Sequence, residues 1–383
     1  MKRKRKVFWL PVCLLMLAFG LLGVSGGVLP GRNSFPPSDI TTDGTVGEGK
    51  LEVHFLDVGQ GDCTLVVCDG EAMLIDAGDN DKGTKIQSYL QKQGVKELKY
   101  VICTHPDADH IGGMDVIIYK FPCETILMTE EEKDTDTYRD VIRAIKEKGY
   151  RQTRPVVGAQ YALGDAEFTL LGPVDLDSDS NNNSIVVYLK YGNNSFLFTG
   201  DAEEKEEADL LEGGFLASVD VYKAGHHGSS SSSSKQFLEE IRPVYAVISC
   251  GDDNKYGHPH GETLNSLRSF GVSIFRTDEQ GTMIASADGE KITWNCSASE
   301  TWPSGEPMGT GENADISGAL ESVKGEEINS SAITYICNIK TYKFHDADCE
   351  SVAQISEKNK KSVTDTRERL IEQGFQPCKI CNP

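Results

Sequence analysis

Seven residues, Thr104 to His110, read Thr-His-Pro-Asp-Ala-Asp-His and follow directly on the apolar stretch Tyr100–Cys103. Two imidazoles and two carboxylates at the end of one strand can converge on a single point. Imidazole with carboxylate is a ligand set for Zn2+ or Mn2+ rather than for Ca2+. One ion needs three or four ligands, so the fold has to bring further donors to the same place. The later candidates are Asp201 in Phe198-Thr199-Gly200-Asp201, His226 and His227 in Gly225-His226-His227-Gly228, and His258 and His260 in Tyr256-Gly257-His258-Pro259-His260. Of the 8 His residues, only His54 stands outside these clusters and the tail.

The surroundings of the clusters suit a layered α/β architecture. From Leu51 to Trp294 short β-rich runs alternate with helical spacing. Strands are expected at Leu51–Val58, Cys63–Cys68, Ala72–Ile75, Tyr100–Cys103, Glu124–Met128, Phe168–Leu171, Ile185–Tyr191, Ser195–Thr199, Val219–Lys223 and Tyr245–Ser249. Helices are expected at Lys82–Gln93, Asp136–Lys148, Ala202–Glu212, Ser234–Ile241 and Glu262–Phe270. Hydrophobic residues make up 38% of the 383, enough for a sizeable core, which excludes wholesale disorder. The net charge is −21, and residues 51–296 carry −20 of it. Such a domain repels phosphate unless cations intervene.

Five segments are expected. Residues 1–27 open on Met-Lys-Arg-Lys-Arg-Lys and continue as the apolar run Val7–Val24, the layout of a secretory signal or an uncut membrane anchor. The chain is therefore expected at the cell surface or outside the cell, attached to the membrane where the leader is retained. Residues 28–50 read as a linker, 51–296 as the main globular domain, 297–331 as an acidic linker and 332–383 as a compact tail. The run Ser229–Ser234 reads as an inert loop or a mobile rim. Cys63, Cys68, Cys103, Cys123 and Cys250 fall in apolar strands and read as small buried hydrophobes.

The spaced motifs together carry a resemblance. HxDxDH after a strand, the earlier Leu74-Ile75-Asp76-Ala77-Gly78, then TGD, GHHGS and YGHPH resemble the metallo-β-lactamase fold. The opening Phe55-Leu56-Asp57-Val58-Gly59-Gln60-Gly61-Asp62 is similar to the hydrolase domain of ComEC-type competence proteins, a domain thought to degrade DNA at the cell surface. The resemblance covers about 51–290 and implies an αββα sandwich holding two divalent metals, Zn2+ or Mn2+, at one edge. Asp107 stands where the commoner HxHxDH pattern has its middle His. The interval before TGD holds Asn181, Asn182, Asn183 and Ser184 instead of a further His.

The resemblance and the donor chemistry together imply roles. His105, Asp107 and one of His226 and His227 would hold one metal; Asp109, His110 and His258 would hold the other, with Asp201 bridging both. Asp109 and Asp201 would be catalytic, and Lys223 would stabilise oxyanion charge. Asp76 would orient a ligand His, as metal-bound imidazoles require. Asp57, Asp62, Asn182, Ser184 and His260 would surround the site, and Tyr256 would donate to a leaving group.

The tail carries His345-x-x-x-Cys349 and Cys378-x-x-Cys381, two close pairs of soft or borderline ligands. That is the arrangement of a closed structural Zn2+ site; a pair of disulfides is the alternative that an exported location permits. About 50 residues bury little core, so a metal staple has a thermodynamic purpose. The ending resembles the Ada-type metal-binding domain, with His345 in place of one cysteine. The expected whole is a metal-dependent phosphodiesterase or nuclease acting on DNA. Hydrolysis of another envelope phosphodiester, of phosphocholine or teichoic-acid type, and a non-catalytic adaptor stabilised by its metals are the alternatives.

Overall fold

The computed structural model describes residues 50–301 except 253, then 304–305, 333–338, 343–347, 349–365, 367, 370, 375–378 and 381. The expected leader 1–27, nearly all of the linker 28–50 and most of the linker 297–331 lie outside the described residues. Among the described residues no helix is long and apolar enough to cross a membrane.

The first half of the sandwich runs β1 (Leu51–Phe55), β2 (Thr64–Cys68), β3 (Glu71–Ile75), α1 (Gly83–Lys92), β4 (Leu98–Cys103), α2 (Ala108–Ile111), α3 (Met114–Lys120), β5 (Cys123–Met128), α4 (Asp136–Glu147) and β6 (Gln152–Thr153). The second runs β7 (Gln160–Leu163), β8 (Ala166–Gly172), β9 (Val186–Tyr191), β10 (Asn194–Phe198), α5 (Glu204–Gly213), β11 (Val221–Lys223), α6 (Lys235–Ile241), β12 (Tyr245–Ile248), α7 (Gly261–Ser269), β13 (Ser273–Arg276), α8 (Thr277–Gln280), β14 (Met283–Ala287) and β15 (Ile292–Trp294). One sheet has the order β15-β14-β1-β2-β3-β4-β5-β6 and the other β13-β12-β11-β10-β9-β8-β7.

Period-two patterning sets the layers. Leu51, Val53 and Phe55 of β1, with Val66 of β2, face Phe168, Leu189, Phe196 and Phe198 across the inter-sheet core. The alternate residues Leu65, Val67 and Leu74 face outward into a second core closed by Ile86, Leu90, Ile117 and Val141. On the far sheet, Leu197, Tyr222 and Ile248 do the same against Leu210, Phe237 and Leu264. Both faces of both sheets are buried, so this is the expected αββα sandwich.

The expected elements are present with ends moved by at most three residues, but α2, α3, β6, β7, α8 and β13–β15 were not anticipated. In α3 the run Val116-Ile117-Ile118 has strand-like β-branched composition, and burial of Met114, Ile117 and Ile118 against the first sheet overrides it. The pairs β3–β4 and β10–β11–β12 are parallel. Ligands in open α/β sheets gather beyond the carboxyl ends of such strands; the segments at Asp76, His105–His110, Asp201, His226–His227 and His258 follow these ends, while Phe55–Asp62 follows the antiparallel β1.

The tail forms β16 (Ile333–Asn338), β17 (Lys343–Asp346), β18 (Lys360–Asp365) and β19 (Gln376–Pro377), in the order β18-β16-β17-β19. Its core among the described residues is Tyr335, Cys337, Phe344 and Leu370.

Candidate metal centre

Five chain segments meet at one edge of the sandwich. Asp76 follows β3; His105 and His110 follow β4; Asp201 follows β10; His226 and His227 follow β11. The fifth, the loop after β1, brings in Asp62. Close approach there requires glycine: a Cβ on Gly61 would sit 2.4 Å from the Asp109 carbonyl oxygen. The Asp62 N–H donates to that same carbonyl at 3.1 Å.

Ligand atoms of Asp62, His110, Asp201 and His227 all lie within 4.8 Å of one another, and all four residues are buried. His110 Nε2 is 3.2 Å from Asp201 Oδ1 and 3.3 Å from His227 Nε2. His227 Nε2 is 3.4 Å from Asp201 Oδ2 and 3.3 Å from Asp109 Oδ2. His226 Nε2 approaches the same Asp201 Oδ2 at 3.7 Å. The two oxygens of Asp201 thus address different imidazoles.

Each imidazole has its other nitrogen against an oxygen. His110 Nδ1 meets Asp76 Oδ2 at 2.8 Å, and Asp76 also accepts from the Thr104 hydroxyl at 2.7 Å and the Thr104 N–H at 2.9 Å. His227 Nδ1 donates to the Ser249 carbonyl at 3.0 Å. His226 Nδ1 meets Glu203 Oε1 at 2.9 Å. His105 Nδ1 lies 3.2 Å from the Thr104 hydroxyl and 3.3 Å from that of Ser184, which also accepts from the Asp201 N–H at 3.0 Å. With Nδ1 donating, every Nε2 once deprotonated presents a lone pair inward. The buried His105 Nε2 and Asp201 Oδ1 have no hydrogen-bond partner. A divalent cation would take the place of the protons that otherwise separate these imidazoles and carboxylates. The donor set therefore fits a Zn2+- or Mn2+-type ion.

Burial pulls His110 and His227 down, but Asp201, helped by Asp76 for one and Asp62 for the other, holds both well above the usual range, so without an ion each imidazole keeps a proton that a bound cation would displace. Burial, then His110, takes His105 down to about 3. Burial opposes ionisation of Asp62, and Lys223 with His227 overcomes it, bringing it to about 2.

Backbone geometry at the paired histidines is unusual. His226 and His227 are both left-handed, with φ 46° and 54°. For residues other than glycine such conformations cost on the order of 1–3 kcal/mol each. The serine run pins this loop. Ser229, Ser232 and Ser233 are buried; the Ser231 hydroxyl donates to Glu203 at 2.8 Å, and Glu207 accepts from the Ser233 and Ser234 N–H groups. It is a fastening rather than a mobile rim.

Several residues stand elsewhere than expected. Asp107 precedes α2, half-turned to solvent, and pairs with Lys133 and with the Ser180 hydroxyl at 3.4 Å instead of joining the cluster. Lys223 is 2% exposed and donates to Asp62 Oδ2 at 2.8 Å and to the Ala224 carbonyl; it is buried under the site, where no oxyanion reaches it. Asp62 is correspondingly a member of the convergent group, not a neighbour of it. Asp57 folds back on the Gly59 N–H and faces Lys85 on α1. The Asn182 side-chain oxygen accepts from the Glu203 and Glu206 N–H groups, fastening the start of α5. His258 stands one ring away from the cluster, 5.3 Å from His226 between centroids, with Gln60 on its Nδ1 at 3.4 Å. His260 uses both ring nitrogens, accepting from the Ser230 N–H and donating to the Tyr256 carbonyl. His54 bonds the Tyr89 hydroxyl at 2.8 Å, away from the site. Glu203, Thr104 and the Ser249 carbonyl were not anticipated; only Thr104 had a sequence signal, its place inside the first motif.

In the tail, ligand atoms of His345, Cys349, Cys378 and Cys381 lie within 4.8 Å of one another. His345, which a pair of disulfides would leave without a role, is buried, and its Nδ1 has no hydrogen-bond partner. The donors fit a structural Zn2+ ion.

A hydrolytic metal centre on an αββα sandwich defines a class, and sequence comparison agrees with it. The description of the metallo-beta-lactamase superfamily matches residues 56–252, more than half of the chain, and the chain belongs to that family. Within it, the chain is 30% identical over 251 residues to ComE operon protein 3 of Bacillus subtilis, covering 61% of this chain and 32% of the relative. It is 32% identical over 242 residues to competence protein ComA of Neisseria gonorrhoeae, covering 62% and 32%. The chain thus spans about a third of the length of these relatives. Among solved structures, the metallo-beta-lactamase fold protein YhfI of Bacillus subtilis matches with a TM-score of 0.43 at 12% identity, covering 61% of this chain and 98% of that one.

Proposed function

We propose that this metal-dependent hydrolase cleaves phosphodiesters, with DNA at the cell surface as its substrate and two divalent ions, Zn2+ or Mn2+, in the sandwich. The observation that carries the reading is the convergence of three imidazoles, His110, His226 and His227, each held through Nδ1, on the two oxygens of Asp201, with the His105 ring 4.1 Å from that of His110. His105, His110, His226 and His227 with Asp62, Asp109 and Asp201 would hold the ions. Bound there, they lower the pKa of water in the site toward about 7 and offset phosphate charge. Without them a domain of charge −20 repels a polyanion.

The chain's own residues do the rest. Asp76, Ser249, Glu203, Thr104 and Ser184 hold the imidazoles in one tautomer and orientation. Lys223 keeps Asp62 ionised beneath the site. Asp109, partly open to solvent and 3.3 Å from His227 Nε2, would be within reach of an attacking water. The competence names of the relatives support DNA as substrate, and the basic and apolar leader supports export.

Residues 45–383, stripped and reloaded with Zn2+ or Mn2+, are to be assayed on bis-p-nitrophenyl phosphate, linear DNA and a chromogenic β-lactam, with Asp109→Ala as the blank. Metal-dependent cleavage of both diesters, absent in the blank, is expected. Cleavage of the small diester alone redirects the search to envelope phosphodiesters. No turnover despite bound metal removes the hydrolase reading in favour of a metal-stabilised adaptor.

A further inference from the structure

The metal centre leaves the loop before His258 unexplained. Tyr256 is 48% exposed, yet its backbone is clamped from both sides. Its N–H donates to Asn254 Oδ1 at 3.1 Å, and its carbonyl accepts from His260 Nε2 at 3.2 Å. The buried Asn254 side chain also accepts from the His258 N–H at 3.0 Å and donates to the Gly251 and His258 carbonyls at 2.8 and 2.6 Å. So much fastening around a solvent-facing ring is not needed for a surface turn.

The ring is part of a series. Tyr256 stacks on His258 with 5.6 Å between centroids and 19° between planes. His258 lies 5.3 Å from His226 and 6.0 Å from His227. Aromatic rings thus lead from the buried cluster out to solvent. Lys255 Nζ is 4.8 Å from the Tyr256 centroid. Its pKa is raised by Tyr256 first and more weakly by Asp109 and Asp79, which places this exposed ammonium within the field of the centre.

We propose that Tyr256 is a stacking platform for the nucleobase beside the scissile phosphodiester, with Lys255 meeting the adjacent phosphate. The inference rests on the hydrolase reading above and narrows its substrate to strands with unpaired bases. A fixed aromatic beside an exposed cation suits a nucleotide: the base takes the ring and the phosphate takes the ammonium. Every base has a π-face, so such contacts tolerate any sequence, and each weakens binding by roughly 5- to 150-fold when removed. Bases inside a duplex are already stacked and do not reach the ring.

The test uses the metal-reconstituted full chain as wild type, Tyr256→Ala and Tyr256→Phe. The substrates are a dinucleotide with one phosphodiester and its analogue lacking one base. Tyr256→Ala is expected to raise KM for the dinucleotide about tenfold, Tyr256→Phe to keep the wild-type KM, and the difference to vanish on the base-free analogue. Independently of turnover, a phosphorothioate strand carrying 2-aminopurine is expected to lose fluorescence on binding wild type and to keep it with Tyr256→Ala.

Equal KM values for wild type and Tyr256→Ala, or a base-free glycerol phosphodiester cleaved as well as the dinucleotide, would overturn the platform and leave the hydrolase standing. Quenching that depends on Tyr256 without any cleavage would support the platform as a binding site and remove the hydrolase reading. Neither quenching nor cleavage would overturn both. A duplex cleaved with the same KM as a single strand would also count against the platform.

Discussion

The sandwich and the tail both gather histidine with other ligands, but they hold them by different means. In the sandwich, three hydrophobic cores fix the strands first, and the ligands are projected from strand ends that packing has already placed. In the tail, the described core is Tyr335, Cys337, Phe344 and Leu370. There the ligands themselves have to supply what packing lacks. The difference teaches that similar donor chemistry serves reaction in one place and folding in the other, according to how much apolar surface surrounds it.

The sharpest way to break this comparison is to remove one ligand from each region. Cys378→Ser is expected to abolish the tail's folded signature altogether while the sandwich melts as before, read by amide hydrogen exchange on the full chain. If the tail keeps its protection, packing holds it and the contrast fails. Asp109→Ala is expected to cost at least a thousandfold in turnover on a diester while leaving the sandwich folded, and His345→Ala to leave turnover intact. Retained folding is to be checked by circular dichroism.

Phe168→Ala, in the core between the sheets, is expected to destabilise the sandwich by about 3–5 kcal/mol in denaturant unfolding, with no effect on tail protection. Glu206 gives a pH test. Burial pushes its carboxyl from 4.5 up to about 8. The folded state therefore holds a proton that the unfolded state releases. The contribution is fully present below about 4.5 and is lost as pH rises through about 8, with a slope of up to about 1.4 kcal/mol per pH unit. Glu206→Gln is expected to flatten that dependence. The smallest effect is expected from Asp107→Asn, which removes the partner of Lys133: metal content measured by elemental analysis is expected to stay within error of wild type.

The sequence made the sandwich readable because period-two alternation and buried helix faces are local signals. It also exposed His105, His110, Asp201 and the paired histidines, since ligand types crowd at strand ends there. What it hid was set by contacts between distant segments. Lys223 looked available beside a site motif, but β11 lies between two strands, and its ammonium found the nearest carboxylate, Asp62. Asp107 shares a motif with Asp109, yet it precedes α2 and faces Lys133 while Asp109 lies within the first turn. Glu203 follows TGD by two positions, and nothing local says that it will meet His226. Short-range pattern names the donors; which way each one points depends on the burial of its neighbours.

The left-handed backbone at His226 and His227 has a consequence for how the chain can change over generations. Glycine and asparagine occupy that conformation at lower cost than histidine. At most positions in a site a substitution loses both chemistry and stability, but at these two the losses part company. A lineage under no demand for hydrolysis would gain folding stability by giving up either imidazole, and selection for a robust fold would carry it there. A retired copy of this chain is therefore expected to show glycine or asparagine at 226 or 227 while Ser184, whose backbone is extended and unstrained, still stands.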